Sequence, residues 1–291
     1  MSQPAVIVVN SHVVTGSVGG RSSVFALERL GFPVWSLTTV SLGWHPGHGR
    51  STRIVPDDAL FAAAVGDLAR SPALAGVGAI LVGYLGSAGQ VAPLADMVRA
   101  LKAANPAARF LYDPDIGDNG VLFVPEATAA AARDGLLPLA DIATPNRFEL
   151  GWLSGRTLSS LEDAAAAAAA LGPGEVVVTS AAVSDREIAT LLIAHGAGAI
   201  ARQRAVPGTP KGTGDLFAAL YLAHRLNGVA AWPSLARAAS AVAELAARAA
   251  AERADELPLA EGQAAFVAGG EDVTIAPLII PEQAARETRP A

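Results

Sequence analysis

The chain contains no cysteine. A disulfide framework, a thiolate–metal site and a cysteine nucleophile are excluded together, and the composition suits the cytoplasm. Basic runs are missing as well. The 291 residues carry a formal charge of −6 with no Lys/Arg block, which argues against a nucleic-acid surface. A small anionic substrate is not excluded, because charge inside a cleft matters more than net charge. No apolar stretch reaches the roughly 20 residues of a membrane span. The opening "MSQPAVIVVNS" has no basic segment before its apolar run, so no signal peptide is read. No Pro/Gly/Ser linker and no internal repeat divides the chain. A single domain is expected over residues 1–281, with 282–291 as a flexible tail.

Several catalytic signatures are also lacking. No G-x-x-x-x-G-K-[ST] loop occurs. "GSVGG" is a faint echo of a dinucleotide fingerprint, but the second strand ends "TTV" without the acidic residue such a site needs. His12, His45 and His48 have no partner at metal-ligand spacing and read as ordinary loop or core histidines. No Ser–His–Asp arrangement can be picked out.

What is present is regular alternation. "AVIVVN" (5–10), 32–40, 77–86, 108–115 and "EVVVTS" (175–180) read as strands, the first a continuous β-branched run suited to burial on both faces. Helical spacing fills 18–31, 57–70 and 91–105. Residues 139–155 read as a short strand, a loop and a helix. Two weaker strands (188–194 and 199–203), a helix after Asp215 and a long Ala-rich helix near 232–252 complete the pattern. The tract "EDAAAAAAALG" (162–172) is low in complexity, yet alanine favours a surface helix. The expected fold is α/β, a mainly parallel sheet covered by helices on both sides.

In such folds ligands bind beyond the carboxyl ends of the strands. Those ends lead here into "NSHVVTGSVGG", "LGSAGQ", "DPDIGDNG", "PNRFE" and "SAAVSD", so polar, Gly-rich and acidic residues collect along one edge. "PKGTGDLFAALYLAHRL" (210–226) adds Asp215 where a small-residue loop becomes a helix. Asp215 could cap that helix. Alternatively, Gly212, Thr213 and Gly214 leave backbone N–H groups bare for phosphate, and Asp215 takes a proton from an attacking hydroxyl. Asp113, Asp115 and Asp118, with Asn146 and Glu149, supply the hard oxygen donors that magnesium prefers. Together these describe phosphoryl transfer from a nucleoside triphosphate to a hydroxyl.

The stretches "SHVVTGSVGG", "TTVSLGWHPGHG", "GYLGS", "DPDIGDNGVLFVPE", "PLADIATPNRFELGWLSGR", "GPGEVVVTS" and "GTGDLFAALYLA" resemble the pyridoxal kinases of the ribokinase-like superfamily along nearly the whole chain. The resemblance implies a three-layer α/β/α sandwich. It also implies transfer of the ATP γ-phosphoryl to the 5′-hydroxyl of pyridoxal, with pyridoxamine and pyridoxine as related substrates. Asp215 would then be the base, and Gly212, Thr213 and Gly214 the anion hole. Ser11, Val18, Pro46, Gly47 and Tyr84 would hold the vitamer. Asp113, Thr144, Asn146, Glu149, Thr179 and Ser180 would meet ATP, with Gln203, Arg204, Ala205 and Val206 near its adenosine. Asp113, Asp118 and Glu149 would serve magnesium or a related divalent cation; a monovalent cation such as potassium, and a homodimer, are further implications.

Three departures from the family stand out: Asp115 in "DPDIG" where the family has Val, "GG" where it usually has "GN", and Pro46 in "WHPG" where it has Thr. The segment before "GTGD" is also short for the family. Two other functions remain open at this stage. One is a hydroxymethylpyrimidine kinase of the same superfamily, disfavoured by "SHVV", Tyr84 and an Asp where those enzymes commonly use Cys. The other is a non-catalytic pyridoxal-phosphate carrier or sensor, disfavoured by the intact Asp215 and glycines.

Overall fold

Side-chain alternation along the first strand decides the layering. In the computed structural model, which describes residues 3–269 and 273–278, Val6 and Val8 belong to one core cluster while Ile7 and Val9 belong to another. A strand that is apolar at consecutive positions must be covered on both faces, because successive side chains point in opposite directions.

The described elements run β1 (Ala5–Thr15), α1 (Gly20–Arg29), β2 (Val34–Trp44), β3 (Arg53–Ile54), α2 (Asp58–Ala69), β4 (Val77–Val82) and α3 (Val91–Ala104). Next come β5 (Arg109–Tyr112), β6 (Gly117–Asp118), β7 (Val121–Leu122), α4 (Glu126–Gly135), β8 (Ile142–Ala143), α5 (Arg147–Ser154) and α6 (Leu161–Ala169). The chain closes with β9 (Glu175–Val183), β10 (Glu187–Ala194), β11 (Ala197–Arg204), α7 (Thr213–Leu226), α8 (Ala231–Glu252) and β12 (Val273–Leu278). The expected tail at 282–291 lies outside the described residues.

A ten-stranded sheet has the order β12-β11-β10-β9-β8-β5-β4-β1-β2-β3. The run from β9 through β8, β5, β4 and β1 to β2 is parallel, and antiparallel strands extend it at both ends. Helices α1, α7 and α8 cover one face. The other is covered by α2, α3 and α4 over β1, β4 and β5, and by α5 and α6 over β9 and β10. This is the ribokinase-like three-layer sandwich.

Several boundaries differ from the sequence expectation. β4 stops at Val82 rather than continuing to residue 86, because the Tyr84 N–H donates to the Asn10 side chain instead of to a neighbouring strand's backbone. β1 and β2 extend to Thr15 and Trp44 by pairing with each other past a register shift near Asn10 and His12. The alanine tract forms α6, and four of its alanines are buried against β9 and β10. The helix α4 and the strands β3, β6, β7 and β12 were not anticipated.

The order also fixes where a ligand can sit. From β1 the chain first adds β2 on one side, and later β4 on the other. The crevice at that reversal, at the carboxyl ends of β1 and β4, is the topological switch point.

Candidate active site

A cavity of about 590 Å³ opens along this carboxyl edge. Strand spacing sets its span. Adjacent strands lie about 4.8 Å apart, so the four steps from β1 to β9 cover roughly 19 Å, enough for two ligands end to end. At the β1, β2 and β4 end the lining is Ser11, Val13, Val18, Leu42, His45, Pro46, Gly47 and Tyr84. Apolar faces with a few polar groups there suit a small flat ring. Toward β5, β8 and β9 the lining becomes Asp113, Asp115, Asp118, Thr144, Asn146, Glu149, Thr179 and Ser180. Gly212, Thr213, Gly214 and Asp215 also line the cavity.

The start of α7 answers the question raised by Asp215. Gly212 is the N-cap residue with φ +94°, and no side chain caps the helix. The Asp215 carboxylate turns instead toward β1 and α1. Its Oδ1 accepts from Asn10 Nδ2 at 3.0 Å and its Oδ2 from the Gly19 N–H at 2.8 Å. The first amides of α7 are thus left to the cavity, at the positive end of the helix dipole.

The glycines differ in their reasons. A side chain at Gly212 would put Cβ 2.4 Å from the Ser17 carbonyl oxygen and would face a positive φ; at Gly214 it would meet open space. Gly212 is demanded by packing. Gly214 is not, and its bareness keeps the cavity clear.

Five carboxylates line the cavity against the basic groups of Lys211 and His45. Burial raises the Asp113 carboxyl well above the ordinary range, followed by the charges of Asp215 and Glu149, against a hydrogen bond from Thr144 Oγ1 at 2.8 Å. Asp115, at φ +43°, is raised by burial and by Asp215 and Asp113. Asp and Asn tolerate that left-handed conformation better than a β-branched residue does. Burial pushes Glu149 up to about 8, although it accepts backbone N–H bonds from Asn146, Ile116 and Gly117. Asp215 is raised by burial, against the donors Gly19 and Asn10.

Glu149 and Asn146 form a reciprocal capping box on α5, and Asn146 Nδ2 also reaches the Gly117 carbonyl at 2.7 Å. Asp118 is engaged by Asn119 in the β6–β7 turn. Among the described residues no group of three or more His, Asp or Glu side chains could hold a metal ion. Asp113 accepts from Thr144 on one oxygen and keeps the other open to the cavity, which Asp115 also lines. The donor set therefore fits a magnesium ion that keeps waters and takes phosphate oxygens, and not an all-protein cage.

Of the residues expected from sequence, Gln203, Arg204, Ala205 and Val206 are the ones not brought to the cavity; they lie at and just beyond the end of β11. Sequence reasoning missed Asn10, Gly19, Lys211, Phe123, Val13 and Leu42 as lining or supporting residues. It also treated His45 as ordinary. His45 lines the cavity, and its Nδ1 accepts the Gly47 N–H at 3.0 Å. The signal for Asn10 was available: it is the polar residue that ends the first apolar strand.

An α/β sandwich with a bare helix start, a held carboxylate and an acidic edge defines a small-molecule kinase of the ribokinase-like class. Comparison with known proteins narrows the class. The phosphomethylpyrimidine kinase family model matches residues 71–259. The pyridoxal kinase PdxY of Granulibacter bethesdensis is 37% identical over 248 residues, covering 81% of this chain and 87% of that protein. Its counterpart in Leifsonia xyli is 36% identical over 267 residues, covering 89% and 94%. The pyridoxal kinase of Leishmania donovani, solved with ADP and pyridoxamine, superposes with a TM-score of 0.86 at 28% identity over 95% of this chain and 100% of that one. The chain belongs to the pyridoxal kinase family.

Proposed function

We propose that this protein transfers the γ-phosphoryl group of ATP to the 5′-hydroxyl of pyridoxal, making pyridoxal 5′-phosphate in vitamin B6 salvage, with pyridoxamine and pyridoxine as further substrates. The observation that carries the reading is the Asp215 carboxylate, held from β1 and α1 beside the uncapped start of α7. Asp215 accepts the proton of the attacking hydroxyl. The bare amides of Gly212, Thr213 and Gly214 receive the negative charge of the phosphoryl group in flight. Ser11, Val18, Tyr84, Pro46 and Gly47 hold the pyridine ring. Thr144, Asn146, Thr179 and Ser180 face the nucleotide, with residues 203–206 toward the adenosine.

Magnesium, when bound with ATP, neutralises phosphate charge; Asp113 would hold it, with Asp118 and Glu149 nearby. A monovalent cation such as potassium is a further expected cofactor. No described helix is long and apolar enough to cross a membrane. A cytoplasmic enzyme that binds neither membrane nor nucleic acid is the reading, its indifference to nucleic acid supported by the formal charge of −6 without a basic run. A homodimer is the inferred assembly.

The family model match favours one second reading, a hydroxymethylpyrimidine kinase. One assay separates the readings. ATP-dependent phosphorylation of pyridoxal, pyridoxine, pyridoxamine and hydroxymethylpyrimidine is measured side by side. Fastest turnover of a B6 vitamer is expected. Preference for the pyrimidine would support the second reading, and no turnover with tight binding of pyridoxal phosphate would indicate a carrier.

A further inference from the structure

Asn10 sits at the carboxyl end of β1, 2% exposed, where the register with β2 slips. Its side-chain oxygen accepts two backbone N–H groups, from Ser11 at 2.7 Å and from Tyr84 at 3.2 Å. Those two donors fix which side of the amide is oxygen, because only the carbonyl accepts. The amide nitrogen is thereby turned to Asp215, donating to Oδ1 at 3.0 Å. The close approach of β4 makes room for this. A Cβ at Gly83 would lie 2.4 Å from Asn10 Nδ2, so a side chain there would displace the amide.

The consequence is a three-way junction. One buried side chain joins the Ser11 backbone, the Tyr84 backbone and a carboxylate on α7. Ser11 and Tyr84 line the vitamer end of the cavity. The Gly19 N–H holds the other carboxylate oxygen at 2.8 Å. With Asn10 on one oxygen, the Gly19 N–H on the other and the residue's own backbone N–H beside them, the carboxylate plane is fixed while a lone pair remains to accept a proton.

We propose that Asn10 is a positioning residue for phosphoryl transfer, registering the Asp215 carboxylate against the vitamer-binding backbone so that base and hydroxyl meet in one geometry. This rests on the reading of Asp215 as the base. Catalytic groups misplaced by a fraction of an ångström lose rate without losing affinity. Loss of Asn10 therefore falls on kcat.

Asn10→Asp is the discriminating variant. It keeps size and the acceptor for Ser11 and Tyr84, and turns a carboxylate oxygen to Asp215 in place of the donor, so the hydrogen bond is lost and a like charge is added. A fall in kcat of about 10- to 100-fold is expected, the range spanned by a hydrogen bond to a charged group. The pyridoxal KM should stay within a few-fold, with cooperative thermal unfolding retained. Asn10→Ala should cost a similar factor in the wild-type background. In an Asp215→Ala background it should change residual turnover by no more than about twofold, the signature of two residues acting as one unit.

Wild-type kcat in Asn10→Asp would overturn the proposal. So would an equal loss from Asn10→Ala in both backgrounds, since that describes packing alone. If the buried like-charge pair in Asn10→Asp costs the folded state, the Asn10→Ala comparison in the two backgrounds decides alone: a loss confined to the Asp215 background supports the positioning role, and an equal loss in both overturns it. Failure of the underlying reading looks different: Asp215→Ala itself would then keep near-normal turnover.

Discussion

At the scale of single residues, the structure separates groups needed for folding from groups left free for chemistry. Asp215→Asn keeps the shape but cannot serve as a base. Turnover at saturating substrate should fall by roughly 10²- to 10⁴-fold, the usual range for loss of a general base. One oxygen still accepts from Asn10 or Gly19, so the melting temperature should move by only a few degrees; turnover within a few-fold of wild type would leave Asp215 a structural residue. The two glycines make a sharper pair. Gly214→Ala adds a methyl in open space on a helix and should raise stability slightly, by about 0.5–1 kcal/mol, while abolishing most turnover by intruding on the phosphoryl group. Gly212→Ala should instead destabilise the fold, through the 2.4 Å approach to Ser17. Melting curves beside kcat for both variants test this, and full activity in folded Gly214→Ala would refute phosphate cradling there.

Pro46 opens a short helical turn, Pro46–His48, where a missing N–H costs nothing. A Thr there would add a side-chain donor toward the vitamer. A neutral hydrogen bond contributes about 0.5–1.5 kcal/mol, so Pro46→Thr should lower the pyridoxal KM a few-fold with kcat nearly constant. Steady-state kinetics decide. A lower kcat at unchanged KM would mean that Pro46 shapes the reactive site instead.

At the scale of elements, α7 must hold its start in place, and its anchor lies three turns away. Glu175, buried at the beginning of β9, accepts from Arg225 at 2.6 and 2.9 Å, from Tyr221 at 2.7 Å and from Arg109 at 3.3 Å. Burial pushes its carboxyl up, but hydrogen bonds from Arg225 and Tyr221 and the charges of Arg225 and Arg109 together outweigh that and hold it below 4.5. The folded state then binds this proton less readily than the unfolded chain. The stabilisation is complete above the unfolded value of 4.5 and is lost as pH falls through the depressed folded value. Glu175→Gln should cost about 3–5 kcal/mol at neutral pH, the usual penalty for leaving a buried charge unpaired. Urea unfolding should show the gap to wild type closing in acid. A gap independent of pH would contradict the ion-pair account.

Elements also show what a sequence reader can recover. Apolar runs such as "AVIVVN" declare buried strands, and all five of the stronger strands fall on the apolar runs, β-branched or, in β5, aromatic and leucine, that mark them. Asn119-Gly120, with φ +50° and +83°, forms the β6–β7 turn, and an Asn-Gly pair is a readable hairpin signal. By contrast α4 buries chiefly Thr128, Ala129 and Ala132, at helical spacing but with small side chains that stand out little from the alanines around them. β12 is a half-exposed edge strand that includes Pro277.

At the scale of the whole molecule, β1, β2 and β3 leave a flap past the body of the sheet, where Val14, Trp44 and Ile54 are all exposed. By strand register Val14 and Ile54 share one face of this flap and Trp44 lies on the other; exposed apolar side chains on a projecting edge support the inferred homodimer. Sedimentation should give twice the chain mass, and Ile54→Glu should shift it toward the monomer. A wild-type chain that sediments as a monomer at micromolar concentration would remove the dimer.

The sequence by itself determined the layered α/β fold, the edge of the sheet that carries the chemistry, and most residues that line the cavity. The fold and the acidic edge were legible because strand burial, helix starts and glycine-rich loops are local, each written in neighbouring residues; Ser11, Val18, Pro46, Gly47 and Tyr84 came only from the family resemblance. It left Asp215 open between cap and base, since both roles favour the same residue at the same place. Only the tertiary structure shows that the carboxylate is turned away from capping α7, by bringing Asn10 and Gly19, some two hundred positions away in sequence, within 3.0 and 2.8 Å of its oxygens. The same holds for Gly212 and Gly214, alike in sequence but set apart by what stands opposite each. Contacts between distant segments depend on how the layers close, and no local pattern encodes them.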